Sequence, residues 1–130
     1  MKTITTWKTK EEFISQQDNN TVKMDGNREN GFSPKAMLLA GLAACSGIDI
    51  VEILQKMRVD FSDFVIETEA SQTDEHPRVF KEINVLYKIS TDPANRDKVI
   101  KAINLSLDKY CGVSAMLKKN SPLHYQLVIT

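Results

Sequence analysis

The sequence predicts an α+β fold, and three observations carry that prediction. Two segments alternate with the period of a strand: Phe64, Ile66, Thr68 and Ala70 against Glu67 and Glu69, then Ile83, Val85, Tyr87 and Ile89 against Glu82, Asn84 and Lys88. A long apolar segment precedes them and opens on Ser33-Pro34, a strong helix start. The strand-like segments also come in runs rather than alternating one for one with helices. The order βββ-α-ββ-α-α-β is that of an antiparallel β-sheet with a long buried central helix.

The first 25 residues are polar and hold two or three short strand-like stretches, around Trp7, Phe13 and Val22, separated by turn formers such as Asp18-Asn19. Residues 25–31 read as a loop with nothing to bury. In the helix from residue 34 to about 57, Ser33 caps free N–H groups, and Pro34 gives up a donor that would be orphaned anyway. Its first half is apolar all round, which calls for cover on several sides. Ala40, Gly41, Ala43 and Ala44 would let another backbone approach. Residues 71–77 link the two strands as a hairpin loop. Asp92-Pro93 opens a second helix with Val99, Ile100, Ile103, Leu107 and Tyr110 on one face. A break at Cys111-Gly112 precedes a short helix to about residue 118. Leu123, Tyr125, Leu127 and Ile129 alternate in a closing strand.

With 130 residues, 42% of them hydrophobic, the chain is long enough for one domain over residues 1–130. Seventeen basic residues balance seventeen acidic ones, so no net field gathers nucleic acid or an anionic membrane. The N-terminus MKTITTWKTKEE lacks the apolar core of a signal peptide. The longest unbroken apolar run, residues 36–45, is shorter than the ~20 residues that span a bilayer. These features imply a cytoplasmic protein, where a disulfide is more often catalytic or redox-sensing than structural. The two His and two Cys show no metal-ligand spacing.

The two cysteines are the only residues placed to do chemistry. Cys45 ends SPKAMLLAGLAAC and Cys111 opens CGVSAML. Free cysteine also packs as a small hydrophobe, and Cys45 on a buried helix fits that reading as well. Cys111 falls at a helix N-terminus, where free N–H groups and the positive end of the dipole favour thiolate. Asp49 and Glu52 share the helix face of Cys45 and would raise its pKa. A positive charge for Cys45 would have to come from elsewhere, with Arg28, Lys35 and Arg78 as candidates. For any single one of them, a solvated surface role is the commoner one. Lys35 lies in the first helical turn, where a cation opposes the dipole. His76 reads as a surface residue of its loop.

Taken together, SPKAMLLAGLAAC, GID at 47–49, EHPRVF at 75–80 and KYCGVSAMLKK at 109–119 resemble the OsmC/Ohr family of thiol-dependent hydroperoxidases, in its general OsmC-like branch. The resemblance covers nearly the whole chain. It implies an intertwined homodimer whose long central helices pack together, with two sites at the subunit interface. It also implies that Cys45 is the peroxidatic thiol and Cys111 the resolving one. A hydroperoxide would oxidise Cys45 to a sulfenic acid, Cys111 would condense with it, and a dithiol reductant would restore the pair, with no metal or organic cofactor. Oxidative-stress defence is the implied role. Lys35 stands where the family's peroxidases carry a glutamate, and residues 1–27 contain no arginine to match their N-terminal one. Arg78 fits the Pro-Arg of the family's middle motif. The alternatives are a dimeric small-molecule-binding protein without catalysis and a redox sensor that forms the disulfide but turns over poorly.

Overall fold

In the computed structural model all 130 residues are described, and they form two compact units, Met1–Leu38 and Leu39–Thr130. The first unit is a three-stranded antiparallel meander of β1 (Ile4–Thr9), β2 (Glu12–Gln17) and β3 (Asn20–Asp25). Its strands are joined by tight turns at Lys10-Glu11 and Asp18-Asn19. Lys10 and Asp18 take left-handed φ values of 48° and 53°, matching the twist that short hairpins need. The loop after β3 is more ordered than its composition suggests. The buried Asp25 carboxylate accepts the N–H groups of Asn27 at 2.9 Å and Asn30 at 3.1 Å. These bonds, Asn27 first, hold its pKa below the ordinary carboxylate value. Gly31 is needed where it stands, because a Cβ there would lie 2.7 Å from the Lys23 carbonyl oxygen.

Helix α1 (Pro34–Lys56) starts at Pro34, and Ser33 Oγ accepts the Ala36 N–H at 3.4 Å. At its far end the Val59 N–H reaches back to the Leu54 carbonyl at 3.0 Å, and Arg58 turns the chain at a φ of 57°. This is a Schellman-type stop with arginine in the position glycine usually fills. By length and composition α1 would be able to cross a membrane. A test for an unbroken apolar run misses this because Ser46, Gly47 and Asp49 interrupt it. In this structure Leu42, Ile50 and Leu54 of α1 are fully buried in the core of the second unit.

That core is completed by a second sheet of order β4-β5-β6 and by the helical segment between its last two strands. Strands β4 (Phe61–Gln72) and β5 (Phe80–Thr91) pair antiparallel, with Ile66 opposite Tyr87 and Ala70 opposite Ile83. The alternation read from the sequence holds: Ile83, Val85, Tyr87 and Ile89 are buried. Asp92 then caps a 3-10 turn, Pro93–Asn95, by accepting the Ala94 N–H at 2.9 Å. Helix α2 (Arg96–Leu105) runs into a π-helical turn, Ser106–Tyr110, which leads through Cys111 to α3 (Gly112–Lys118) and β6 (Leu123–Ile129). Val99, Ala102, Ile103 and Leu107 face the core.

The structure corrects two expectations, the direction of β6 and the setting of Tyr110. Strand β6 is parallel to β5, not antiparallel, because the helices between them carry the chain back across the sheet before it pairs. Within one chain, Leu38 and Ile48 of α1 remain 50% and 61% exposed, so this chain alone does not supply the cover on several sides that the apolar first half calls for. Tyr110 is 55% exposed although periodicity put it on the core face of α2. The π-turn inserts an extra residue into the helical count and rotates Tyr110 outward, where Lys109 Nζ lies 5.3 Å from its ring centre.

The strained helix stop yields a direct test. Arg58 is exposed and holds a left-handed conformation that costs a side-chain-bearing residue about 1 kcal/mol. Arg58→Gly is expected to raise stability by about 0.5–1 kcal/mol in denaturant melts with an unchanged m-value.

Candidate functional site

Cys45 lies in the middle of α1, half-buried, next to the buried Ser46 and Gly47. Gly47 allows a close approach to β4: a Cβ there would come within 2.9 Å of Ile66 Cδ1. Cys111 comes from the other side of the core. The π-turn ends at Tyr110, and the Cys111 N–H closes it by donating to the Ser106 carbonyl at 2.8 Å. Cys111 is then the N-cap of α3, its Sγ accepting the Ser114 N–H at 3.3 Å. Both cysteines are free; Cys45 packs against the core cluster that contains Cys111, and the two thiols interact. Their exposures differ: Cys45 reaches solvent, whereas Cys111 is 3% exposed.

Hydroxyl groups tie the two thiols to the fold. Tyr87 on β5 donates to Ser46 Oγ at 2.9 Å, and Ser46 donates to the Ala43 carbonyl at 3.3 Å. Ser106 donates to Asp49 Oδ2 at 2.9 Å, with the Ser46 carbonyl oxygen 3.3 Å away. Ser114 Oγ donates to the Cys111 carbonyl at 2.9 Å, with the Leu107 carbonyl at 3.2 Å. Ser46, Tyr87, Ser106 and Ser114 are all fully buried, and no buried side-chain polar atom lacks a partner. Tyr87 loses its hydration so completely that its phenol is pushed up to about 12, and it stays a neutral donor at physiological pH.

Electrostatically, Cys111 departs from what its place at a helix start predicts. Burial first, and the adjoining Cys45 thiol second, push its pKa up, outweighing the Ser114 N–H that pulls it down. A seven-residue helix offers only a short dipole, and a buried thiolate forfeits water on every side. No three His, Cys, Asp or Glu side chains come together as a metal site.

A family model described as OsmC-like protein matches residues 25–126. The chain belongs to the OsmC-like protein family. Over 99 residues it is 37% identical to Protein YhfA of Escherichia coli K12, an alignment that covers 75% of this chain and 74% of YhfA. The fold is shared with the OsmC-like protein of Mycoplasma pneumoniae at a TM-score of 0.84 and 15% identity, over 99% of this chain and 96% of that one. It is shared also with the organic hydroperoxide resistance protein OhrB of Bacillus subtilis at a TM-score of 0.67 and 20% identity, over 98% of each chain.

Of the residues singled out in the sequence of this OsmC-like protein, the second unit brings together Cys45, Cys111 and, through Ser106, Asp49. Arg78 is exposed on the β4–β5 loop and makes no ion pair within the chain. Arg28 and Lys35 belong to the first unit. Arg28 sits in the loop after β3 at a φ of 59°, and Lys35 in the exposed first turn of α1. Tyr87, Ser46, Ser106 and Ser114 were not singled out. Their signals are plain in retrospect: a tyrosine in a buried strand must find a hydrogen-bond partner. Serines on the apolar faces of α1 and of the segment after α2 invite the same question.

The raised Cys111 thiol makes a prediction with a definite sign. A thiol whose pKa lies above its ordinary 9.0 holds less thiolate at any lower pH. In the folded protein, iodoacetamide at pH 8 is therefore expected to label Cys45 well before Cys111, with Cys111 labelling rising only as the pH passes above 9.0. Site-resolved peptide mass spectrometry reads this, and equal labelling rates at pH 8 would contradict it.

Proposed function

We propose that this protein is a thiol-dependent hydroperoxidase in which Cys45 is oxidised and Cys111 resolves it. The carrying observation is the adjacency of two free thiols of opposite exposure. The half-exposed Cys45 can meet a substrate, and the buried Cys111 is kept from it. The Cys45 thiolate attacks the distal peroxide oxygen, the O–O bond breaks, and an alcohol or water leaves, with Cys45 left as a sulfenic acid. Cys111 then attacks the Cys45 sulfur, water leaves, and a disulfide forms. An external dithiol reduces it by exchange. The fold shared with OhrB, named for organic hydroperoxide resistance, supports organic hydroperoxides as the substrate class. The acting form in this reading is a homodimer. Exposed apolar side chains of α1 such as Ile48 are what a second copy would cover.

A redox-sensing role is the second reading. The raised Cys111 thiol favours it, because a resolving group with little thiolate closes the disulfide slowly and suits a switch better than fast turnover.

Steady-state consumption of cumene hydroperoxide with a dithiol reductant separates the two. The hydroperoxidase reading predicts sustained turnover, abolished in Cys45→Ser. In Cys111→Ser it predicts a single turnover followed by over-oxidation of Cys45. Disulfide formation without turnover in the unaltered protein would favour the sensor, and no oxidation of Cys45 would sink both.

A further inference from the structure

The contacts that hold Cys111 form a short path back to the helix that carries Cys45. Asp49 lies one helical turn after Cys45, on the same face of α1. Its Oδ2 accepts the Ser106 hydroxyl at 2.9 Å, and Ser106 passes the constraint on through its carbonyl, which accepts the Cys111 N–H at 2.8 Å. Ser106 is fully buried, and its other acceptor, the Ser46 carbonyl oxygen, lies farther off at 3.3 Å. A hydroxyl bound to a carboxylate is among the stronger hydrogen bonds a core can contain. The segment it anchors is a π-turn, a wide and marginal geometry that persists only where the surroundings hold it.

We propose that Asp49 and Ser106 are positioning residues of the thiol pair: they hold the π-turn so that the Cys111 sulfur stays against Cys45 while Cys45 awaits resolution. The inference rests on the hydroperoxidase reading for its physiological oxidant, a hydroperoxide, but the positioning itself concerns only disulfide closure. In that step the Cys111 sulfur donates an electron pair to the Cys45 sulfur. The S–O bond of the sulfenic acid breaks, and hydroxide leaves as water with the Cys111 proton. One S–S bond forms, Cys111 is oxidised, and the sulfenic sulfur is reduced to the disulfide level. Such a displacement depends steeply on how the two sulfurs are held. Neither Asp49 nor Ser106 touches the reacting atoms.

The test separates closure from the first oxidation. The reduced unaltered protein, Ser106→Ala, Ser106→Thr and Asp49→Asn are each mixed with one equivalent of cumene hydroperoxide or, separately, of diamide. Diamide caps one thiol as a sulfenylhydrazine that a second thiol displaces. Rapid quenching and intact mass spectrometry follow the first adduct and the disulfide. Ser106→Ala is expected to form the first adduct at the normal rate and Asp49→Asn at least as fast, since it removes a negative charge from the helix face of Cys45, while both close about tenfold more slowly with both oxidants. Ser106→Thr, which keeps the hydroxyl, is expected to restore most of the closure rate. Closure at the normal rate in both Ser106→Ala and Asp49→Asn overturns the proposal, as does an equal slowing of both steps, the mark of general damage. If the unaltered protein closes with diamide but not with hydroperoxide, the hydroperoxidase reading fails, and the variants' closure rates with diamide still decide the positioning role.

Discussion

The hydrogen bond from Tyr87 to Ser46, 2.9 Å long and shut away from water, is where helix, sheet and candidate site meet. Apolar burial sets α1 on the core through Leu42, Ile50 and Leu54, but such contacts are non-directional and would tolerate a helix sliding or rotating. One buried polar pair removes that freedom, because a shift of α1 would leave a phenol and a hydroxyl desolvated and unpaired, at a cost of about 1–3 kcal/mol each. Tyr87 is fixed in turn by rings on either side, with Phe64 at 6.4 Å and Tyr125 at 6.0 Å between centres. Ser46 is the residue after Cys45, so whatever fixes Ser46 fixes the thiol.

The second thiol is held by the same means from the opposite direction. Ser106 and Ser114 bracket Cys111 in sequence, and both spend their hydroxyls on groups that define its place. The pairing has an electrostatic consequence. A buried Cys111 is a poor thiolate, which shields it from stray oxidants and also slows its own attack. Proximity can offset that: well-oriented intramolecular partners reach effective concentrations far above any free thiol in solution. A weak but fixed nucleophile beside a more accessible one is therefore a workable division of labour. Rigid hydrogen bonding is what the second unit supplies around Cys111 to that end.

The sequence is most readable where periodicity and burial agree. The strand of Ile83, Val85, Tyr87 and Ile89 and the start of α1 at Ser33-Pro34 follow from alternation and capping chemistry, both of which act over a few residues. Strand direction is a different matter, because apolar alternation is the same for parallel and antiparallel partners, and β6 was legible as a strand but not in its orientation. The outward turn of Tyr110 was hidden because an inserted π-turn changes the period of the helix without any marker residue such as proline or glycine. The two cysteines stood out by residue type, and so did Asp49. The serines and Tyr87 that fix them did not, since a hydroxyl in an apolar segment signals only that a partner must exist, and for Tyr87, Ser46 and Ser106 that partner lies tens of residues away. The raised pKa of Cys111 is not legible for a related reason: its position at a helix start is local, and its burial is not.

The account stands or falls on whether Cys45 and Cys111 of one chain act as a chemical pair. Peptide mapping of the protein after one equivalent of hydroperoxide, digested without reductant, tests this most directly. The account predicts a cross-linked peptide joining Cys45 to Cys111, two hydrogens lighter than its separate parts. Mixed-isotope protein is expected to show no link between light and heavy chains. Cys45 gaining two oxygens beside an unreacted Cys111 thiol, or a disulfide joining light to heavy chains, would contradict it.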